Sequence, residues 1–391
     1  MKQPNTEHSD RVAVATQRPP FECIALLLQG GGALGAYQAG VYEALSQTGI
    51  EPDWVAGISI GAVNAALIAG NEPAARVKNL RLFWEGVTRS HYLDWSRWPA
   101  TAAAGNVARE WMNQINAGFA LFGGAPGFFA PRIPSLTDPS GWMATTSLYD
   151  TSALKTTLER LIDFDRINAK QMRFSVGAVN VRTGNFVYFD TKTHRIGPEH
   201  ILASGALPPG FPAVEIEGEF YWDGGLVSNT PLQWVVDSHP QRDTLAFQVD
   251  LWSARGNVPK TLAEVSTRQK EIQYSSRTRA NTDAFKHLQR LRGATADLLD
   301  KLPDNLKESP EARLLRPVAG HNVYNIVHLI YRARSYEGQT KDYDFSRASM
   351  EEHWRAGFHD ALRTLRHPEV TARPTGNEGV FTFDLERDGR E

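Results

Sequence analysis

The sequence predicts an α/β fold in three layers, in which a mainly parallel central sheet is covered by helices, followed by a mostly helical C-terminal extension. A strand, a glycine-containing turn and a helix follow one another twice between residues 22 and 69, and parallel strands are connected in this way. Residues 22–29 and 244–252 are short, nearly continuous aliphatic runs, typical of strands buried on both faces of a sheet.

The other elements follow from the same kinds of pattern. Arg182-Thr183-Gly184-Asn185 lies between two apolar runs and predicts a hairpin. Ser346 is a candidate N-cap for a last helix that reaches about Leu365. Apolar residues at helical spacing predict helices after residue 255, at Phe285, Leu288, Leu291, Leu298 and Leu302. The remaining predicted strands cover 54–56, 174–181, 186–190, 219–222 and 323–331, and the first two helices cover 36–45 and 62–69.

The chain divides into three parts on composition. Residues 1–20 carry charge and proline without apolar periodicity, so we expect a disordered tail. Residues 21–255 form the main α/β domain, interrupted at 95–149 by a long insertion rich in Ala, Gly and Pro, and such long loops are often lids. Residues 256–391 form the C-terminal extension. From residue 255 to residue 316 the chain holds 13 Lys and Arg against 8 Asp and Glu.

Charge and cysteine content exclude several classes of function. A formal net charge of −2 gives no global field for nucleic acid. The single cysteine, Cys23, cannot form a disulfide framework and is expected to be a small buried residue. No apolar run is long enough to span a bilayer, so we expect a cytoplasmic protein whose membrane contact, if any, is peripheral. We find no cluster at metal-ligand spacing and expect neither a metal nor a cofactor.

A glycine loop, Gly30-Gly31-Gly32-Ala33-Leu34-Gly35, follows the first strand and opens a helix. Its backbone N–H groups can face a negative group at the helix N-terminus. The loop also matches the dinucleotide fingerprint, but the acid that would hold a ribose after the next strand is absent, since Glu51 and Asp53 precede that strand. A purely structural glycine turn is the third interpretation.

The second strand ends in Gly57-Ile58-Ser59-Ile60-Gly61, the pattern of a nucleophile elbow. Glycines on both sides of the serine relieve crowding in a sharp turn, which would expose Ser59 above the sheet. The alternative is that Ser59 only caps the following helix.

A base for this serine could be a histidine or a carboxylate. The histidines examined, His194, His200, His239 and His321, lie beside proline, glycine or charged residues and are typical of surface positions. Asp223 ends an apolar strand and is followed by Gly224 and Gly225, which allow a sharp turn, although an Asp-Gly turn alone is usually structural.

GGGALG, GISIG and DGG, in this order and context, resemble the three motifs of the patatin-like phospholipases. ASGALPPGFPAV and SNTP resemble the segments flanking the family's catalytic aspartate, and the resemblance covers roughly residues 23–252. It implies the fold of that family, with Ser59 as nucleophile, Asp223 as proton acceptor and an oxyanion hole at Gly30, Gly31 and Gly32. Many relatives carry Arg or Lys at the position of Leu34, so an anchor for an anionic head group is missing here.

These inferences predict a serine hydrolase that cleaves carboxylic esters of lipids, such as a phospholipase A or lysophospholipase. Two alternatives stay open: an acyltransferase, thioesterase or hydroxyacyl-ester hydrolase with the same acyl-enzyme, and a non-catalytic lipid-binding protein. Residues 118–134 are candidates for a lid or an interfacial surface, or for an aromatic loop packed on the core. The basic helices after Arg255 could attract anionic membranes, although such faces are usually only solvated.

Overall fold

The core of the molecule is a nine-stranded, mostly parallel sheet flanked by helices, as predicted. The computed structural model describes residues 18–88, 123–132, 146–238, 240–275, 278–333, 337–338, 340–375 and 379–385. A separate antiparallel pair is formed by two short strands, β3 and β4. The strands are β1 Cys23–Leu28, β2 Trp54–Ile58, β3 Ala130–Pro131, β4 Tyr149–Asp150, β5 Arg173–Asn180, β6 Phe186–Asp190, β7 Val214–Ile216, β8 Glu219–Asp223, β9 Thr244–Asp250, β10 Tyr324–Ile330 and β11 Val380–Phe383.

The strand order in the large sheet is β11-β10-β9-β1-β2-β5-β8-β7, with β6 also paired to β5. The first six of these strands are parallel to one another, whereas β6, β7 and β8 form antiparallel pairs. Both β1 and β9 are buried along their whole length. Their continuous aliphatic sequences are therefore explained by helices on both faces.

Helices of the two outer layers cover the sheet, and the most extensive contact between helices joins the helix Ala36–Gln47 to the helix Arg347–Leu365. None of the helices among the described residues is both long enough and apolar enough to cross a membrane. The helices are α1 Ala36–Gln47, α2 Ile60–Ala69, α3 Pro73–Val87, α4 Ser152–Leu161, α5 Phe164–Asn168, α6 Pro198–Ser204, α7 Leu232–Val236, α8 Leu262–Tyr274, α9 Thr278–Asp300, α10 Asp304–Lys307, α11 Pro310–Leu315, α12 Arg347–Leu365 and α13 Pro368–Thr371.

The C-terminal part is largely helical, yet it shares the sheet of the preceding part. Strands β10 and β11 extend the sheet beyond β9 in parallel. Ser346 caps α12 as predicted, its hydroxyl accepting the Ser349 N–H at 3.3 Å. Most of the tail (1–17) and of the insertion (89–122 and 133–145) lies outside the described residues. The boundary at 255 and the lid stay predictions.

Candidate active site

Strand register brings the three predicted motifs to one edge of the sheet. Leu28, just before the glycine loop, pairs with Gly57 of the elbow. Ile58 pairs with Gly177 of β5, and the next residue of β5, Ala178, pairs with Asp223. Because β6 occupies the other side of β5 at these residues, β8 lies on the same side as β2. Asp223 is therefore placed where β2 ends and Ser59 begins.

Ser59 occupies the sharp turn that the elbow pattern predicted. Its φ of 56° and ψ of −124° lie outside the regions favoured by L-residues. Its side chain makes no capping hydrogen bond to α2, which begins at Ile60. The interpretation of Ser59 as a helix cap is thus wrong. Strain held at a residue of this kind is a common feature of functional sites.

A second serine, Ser204, stabilises this turn through hydrogen bonds. The Ser59 N–H donates to the hydroxyl of Ser204 at 3.0 Å, and that hydroxyl donates to the carbonyl of Gly177 at 2.7 Å. Ser204 is fully buried on α6. It ties the elbow to β5, the strand that also pairs with Asp223.

Gly61, the last glycine of the elbow, lets α2 approach the first strand. A Cβ there would lie 2.2 Å from the carbonyl oxygen of Leu28. Because no side chain fits there without a shift of the backbone, the close approach of α2 to β1 requires glycine at this position.

Asp223 is a buried carboxylate beside the serine. It is 3% exposed, and its Oδ1 accepts the Gly225 N–H at 2.7 Å. The Ser59 side chain lies close enough to the same carboxyl group to favour its ionised form. Burial raises the pKa of Asp223 to about 6, against the opposing effects of Ser59 and of the Gly225 N–H. The carboxylate is consequently a stronger base than an exposed aspartate.

Hydrogen bonds fix the orientation of two peptide units in the glycine loop. The carbonyl of Gly30 accepts from Asn229 Nδ2 at 3.1 Å and from Trp252 Nε1 at 3.0 Å. The carbonyl of Gly31 accepts the Leu34 N–H at 3.2 Å. In a trans peptide the N–H points opposite to the carbonyl, so the N–H groups of Gly31 and Gly32 are held in place. Among the described residues neither N–H has an acceptor.

The amide of Gly30 differs from the other two. Its N–H faces the carbonyl of Asn229 at 3.4 Å, so it belongs to the support of the loop. All three glycines line the same cavity as Ser59 and Asp223. Of the three predicted oxyanion residues, Gly31 and Gly32 offer unpaired donors and Gly30 does not.

The C-terminal part holds this loop from outside. The carbonyl of Asp342 accepts the Ala33 N–H at 3.0 Å and lies 2.3 Å from where a Cβ of Gly32 would be. Gly32 also has a φ of 56°, so both the lack of space and the backbone conformation favour glycine at this position. Lys270 Nζ binds both carboxylate oxygens of Asp342, at 3.1 and 3.2 Å.

The carbonyl of Tyr274, at the end of α8, forms a second outer contact. It accepts from Gln29 Nε2 at 3.0 Å and from Asn229 Nδ2 at 2.8 Å. Gln29 precedes the glycine loop, and Asn229 binds Gly30. Both ends of the loop are therefore anchored to residues beyond 255.

An apolar cavity of about 280 Å³ opens above Ser59. Phe128 and Phe129, which belong to the described part (123–132) of the predicted aromatic segment, line it and pack on Phe211 and Phe345. Phe129 is buried in the main core, so this part of the segment is packed on the core. The other apolar lining residues include Ile60, Val63, Leu148, Leu154, Ile201, Leu202 and Leu207.

The structure also places the remaining predicted residues. Gly35, Gly57 and Gly224 are buried, and Leu34 is fully buried in the core; none of the four lines the cavity. Among the described lining residues there is no histidine, and His239 lies outside the described part of the chain. The supporting residues missed by the sequence prediction are Ser204, Asn229, Trp252, Tyr274, Lys270 and Asp342.

Comparisons with known proteins show which family the sequence resembles. A family model described as "Patatin-like phospholipase" matches residues 26–235, and one described as "Patatin phospholipase" matches residues 272–377. Patatin-like phospholipase domain-containing protein 6 of mouse and of human is 26% identical over 209 residues, covering 53% of this chain and 12% of the relative.

Two further matches are shorter or more distant. Patatin-like phospholipase domain-containing protein 7 of mouse is 36% identical over 88 residues, covering 22% of this chain and 6% of the relative. VipD from Legionella pneumophila has a TM-score of 0.40 and 14% identity, covering 88% of this chain and 67% of that one. The chain therefore spans only a small part of the curated relatives. Since a family model matches more than half of its residues, it belongs to the patatin-like phospholipase family.

Proposed function

We propose that this protein is a serine hydrolase that cleaves carboxylic esters of lipids. The observation that carries the proposal is that Ser59 lies beside a buried aspartate of raised pKa, and that both residues line one apolar cavity. A nucleophile, a base and oriented backbone donors are the three parts that acyl transfer requires.

In the proposed reaction Asp223 removes the hydroxyl proton of Ser59 as Oγ attacks the ester carbonyl carbon. The Gly31 and Gly32 N–H groups stabilise the resulting oxyanion, each contributing roughly 3 kcal/mol if they act like other oxyanion donors. Asp223 then gives its proton to the departing alcohol oxygen, which leaves an acyl-enzyme. Water, deprotonated by the same carboxylate, releases the fatty acid and restores the hydroxyl.

The lining of the cavity supports an apolar acyl chain as the part of the substrate that is bound. Each methylene transferred from water into such a site contributes about 0.8 kcal/mol. This corresponds to about fourfold in kcat/KM for each added methylene, until the cavity is full. A series of p-nitrophenyl esters from acetate upward measures the slope and the chain length at which it ends.

Contact with a lipid surface belongs to the same proposal. Leu148 lines the cavity and is 50% exposed, and Leu226 and Val227, which follow Gly225 of the lining, are 41% and 58% exposed. Exposed apolar side chains beside an apolar cavity suit a substrate that is drawn from an aggregate.

Labelling with a fluorophosphonate tests the nucleophile. Wild-type protein is expected to be labelled, and Ser59→Ala is expected not to be. Ser228→Ala is the matched control, since Ser228 is a nearby half-buried serine whose hydroxyl only donates to the Thr230 carbonyl. Equal labelling of wild type and Ser59→Ala would refute the assignment. Hydrolysis rates of the wild-type protein on phospholipids and lysophospholipids would then define the head group.

A further inference from the structure

A second cleft, of about 340 Å³, lies at the end of the central sheet where its parallel strands begin, opposite the end that carries Ser59. The first residues of five neighbouring parallel strands line it: Cys23, Trp54, Arg173, Thr244 and Tyr324. Ser59 follows the other end of β2, about 16 Å away for a strand of five residues at 3.3 Å each. We call this second site the basal cleft. It is separate from the cavity of the proposed hydrolase.

The basal cleft carries a marked excess of positive charge. Four cationic side chains line it, those of Lys170, Arg173, Lys192 and Arg242, against one carboxylate, that of Asp53. The chain as a whole has a formal net charge of −2, so this excess does not reflect its overall composition. The excess is therefore local to this concave surface.

Neighbouring acids do not remove this excess. Asp53 forms an ion pair with Arg18, and Asp190 is paired with Arg173 at 2.8 Å. Within the part of the chain that the structure describes, Lys170 and Arg242 have no ion-pair partner. At least two lining cations thus keep their full charge toward the cleft.

Two further observations indicate that the charges are held here at a cost. Lys170 follows α5 with a φ of 60°, a left-handed conformation that glycine or asparagine adopts more readily. Burial and the positive charges of Arg173 and Arg242 lower the pKa of Lys192, against the opposing effect of Asp190. Mutual repulsion of this kind would be relieved by a bound anion.

We propose that the basal cleft binds a small phosphate-bearing anion. A guanidinium can hold a phosphate through paired N–H donors, and an ammonium group attracts it as a point charge. Ser238 and Tyr324 also line the cleft, and the Ser238 hydroxyl, which accepts from Arg173 Nη1 at 2.6 Å, keeps its own proton to donate to an anion. The cleft is concave and has the volume of a small molecule, which suits a phosphate or phosphate monoester and not a polymer.

Isothermal titration calorimetry with inorganic phosphate, at constant ionic strength set with chloride, tests the proposal. The expected result is saturable one-site binding that is weakened at least tenfold in the double variant Lys170→Gln/Arg242→Gln. The matched control is Lys155→Gln/Arg160→Gln, which removes two exposed cations from α4, outside the cleft. The control is expected to bind as the wild type does.

Fluorophosphonate labelling of Ser59 serves as a check that the double variant is folded, because the cleft lies away from that serine. Absence of phosphate binding in the wild type, or equal binding by the wild type and the double variant, would overturn the proposal. An equal loss in the Lys155→Gln/Arg160→Gln control would overturn it as well, since binding would then follow net charge alone.

The source of the phosphate is a separate arm of the experiment. Vesicles of phosphatidylcholine with phosphatidic acid are compared with soluble glycerol 3-phosphate. Sedimentation of the wild type with the vesicles, lost in the double variant, would assign the site to a lipid head group. Binding of glycerol 3-phosphate without sedimentation would assign it to a soluble phosphate ester, and both results agree with an anion site.

Discussion

Replacing Asp223 by asparagine should stabilise the fold at neutral pH while it abolishes hydrolysis. The carboxylate is almost completely buried, and burial raises its pKa to about 6 from an ordinary value of 3.8. Asparagine has nearly the same shape and its Oδ1 can still accept the Gly225 N–H. The substitution therefore removes a buried charge without emptying a space.

The size of the effect follows from the two pKa values. A carboxyl with a raised folded-state pKa binds its proton more tightly in the folded protein, so the stability it contributes is present below pH 3.8 and is lost as the pH rises through about 6. The difference between the two values corresponds to about 3 kcal/mol. We expect Asp223→Asn to be more stable than wild type by up to about this amount at pH 7.5, and by little at pH 4.

Urea-induced unfolding at pH 4, 5, 6 and 7.5 measures this difference. Asp300→Asn, an exposed aspartate at the end of α9, is the control and should change stability by less than about 0.5 kcal/mol. In the wild type, kcat/KM for a soluble ester should fall about tenfold for each pH unit below 6. An asparagine variant that is less stable than wild type at pH 7.5 would refute the reasoning.

Three other substitutions test the support of the site and the cavity. Lys270→Met removes the ion-pair partner of the Asp342 carboxylate and should lower the free energy of unfolding by roughly 1–3 kcal/mol. It should also lower kcat more than it changes KM. An unchanged kcat would show that this ion pair does not position the glycine loop. Gly61→Ala should cost more than about 3 kcal/mol in thermal unfolding, whereas Gly86→Ala, where a Cβ meets nothing within 4 Å, should be neutral or stabilising. Leu202→Trp fills part of the cavity and should lower kcat/KM for long acyl esters while sparing acetate; a uniform loss would place the acyl chain elsewhere.

Local sequence determined the parts of the fold that depend on local physics. The aliphatic run before the glycine loop and the hairpin around Gly184 were both predicted within a few residues, because strand burial and turn chemistry act over short stretches. The strand 323–331 was also predicted, and it proved to be β10 beside β9. Its partner could not be predicted, since the pairing joins residues about eighty positions apart.

The candidate site shows the same limit. Ser59 and Asp223 stand in motifs in which glycines mark sharp turns, so their types and positions were visible in the sequence. Ser204 and Asn229 have no such mark, because one serine or asparagine among many gains its role only when folding brings it to the elbow or to the glycine loop. The resemblance of ASGALPPGFPAV and SNTP to family segments covered Ser204 and Asn229, respectively, without giving either residue a role.

The contacts of the glycine loop bear on how the C-terminal part should be understood. Oxyanion donors are effective only if they are oriented before the reaction, since reorientation during it would consume the stabilisation they give. Here the loop is held by Asp342, whose carbonyl accepts the Ala33 N–H, and by Tyr274, whose carbonyl accepts from the side chains of Gln29 and Asn229. Both residues lie beyond 255, and the 272–377 family match includes them. If the loop is the oxyanion hole, substitutions in this part should impair catalysis without touching substrate, and an intact elbow and aspartate would not suffice for activity.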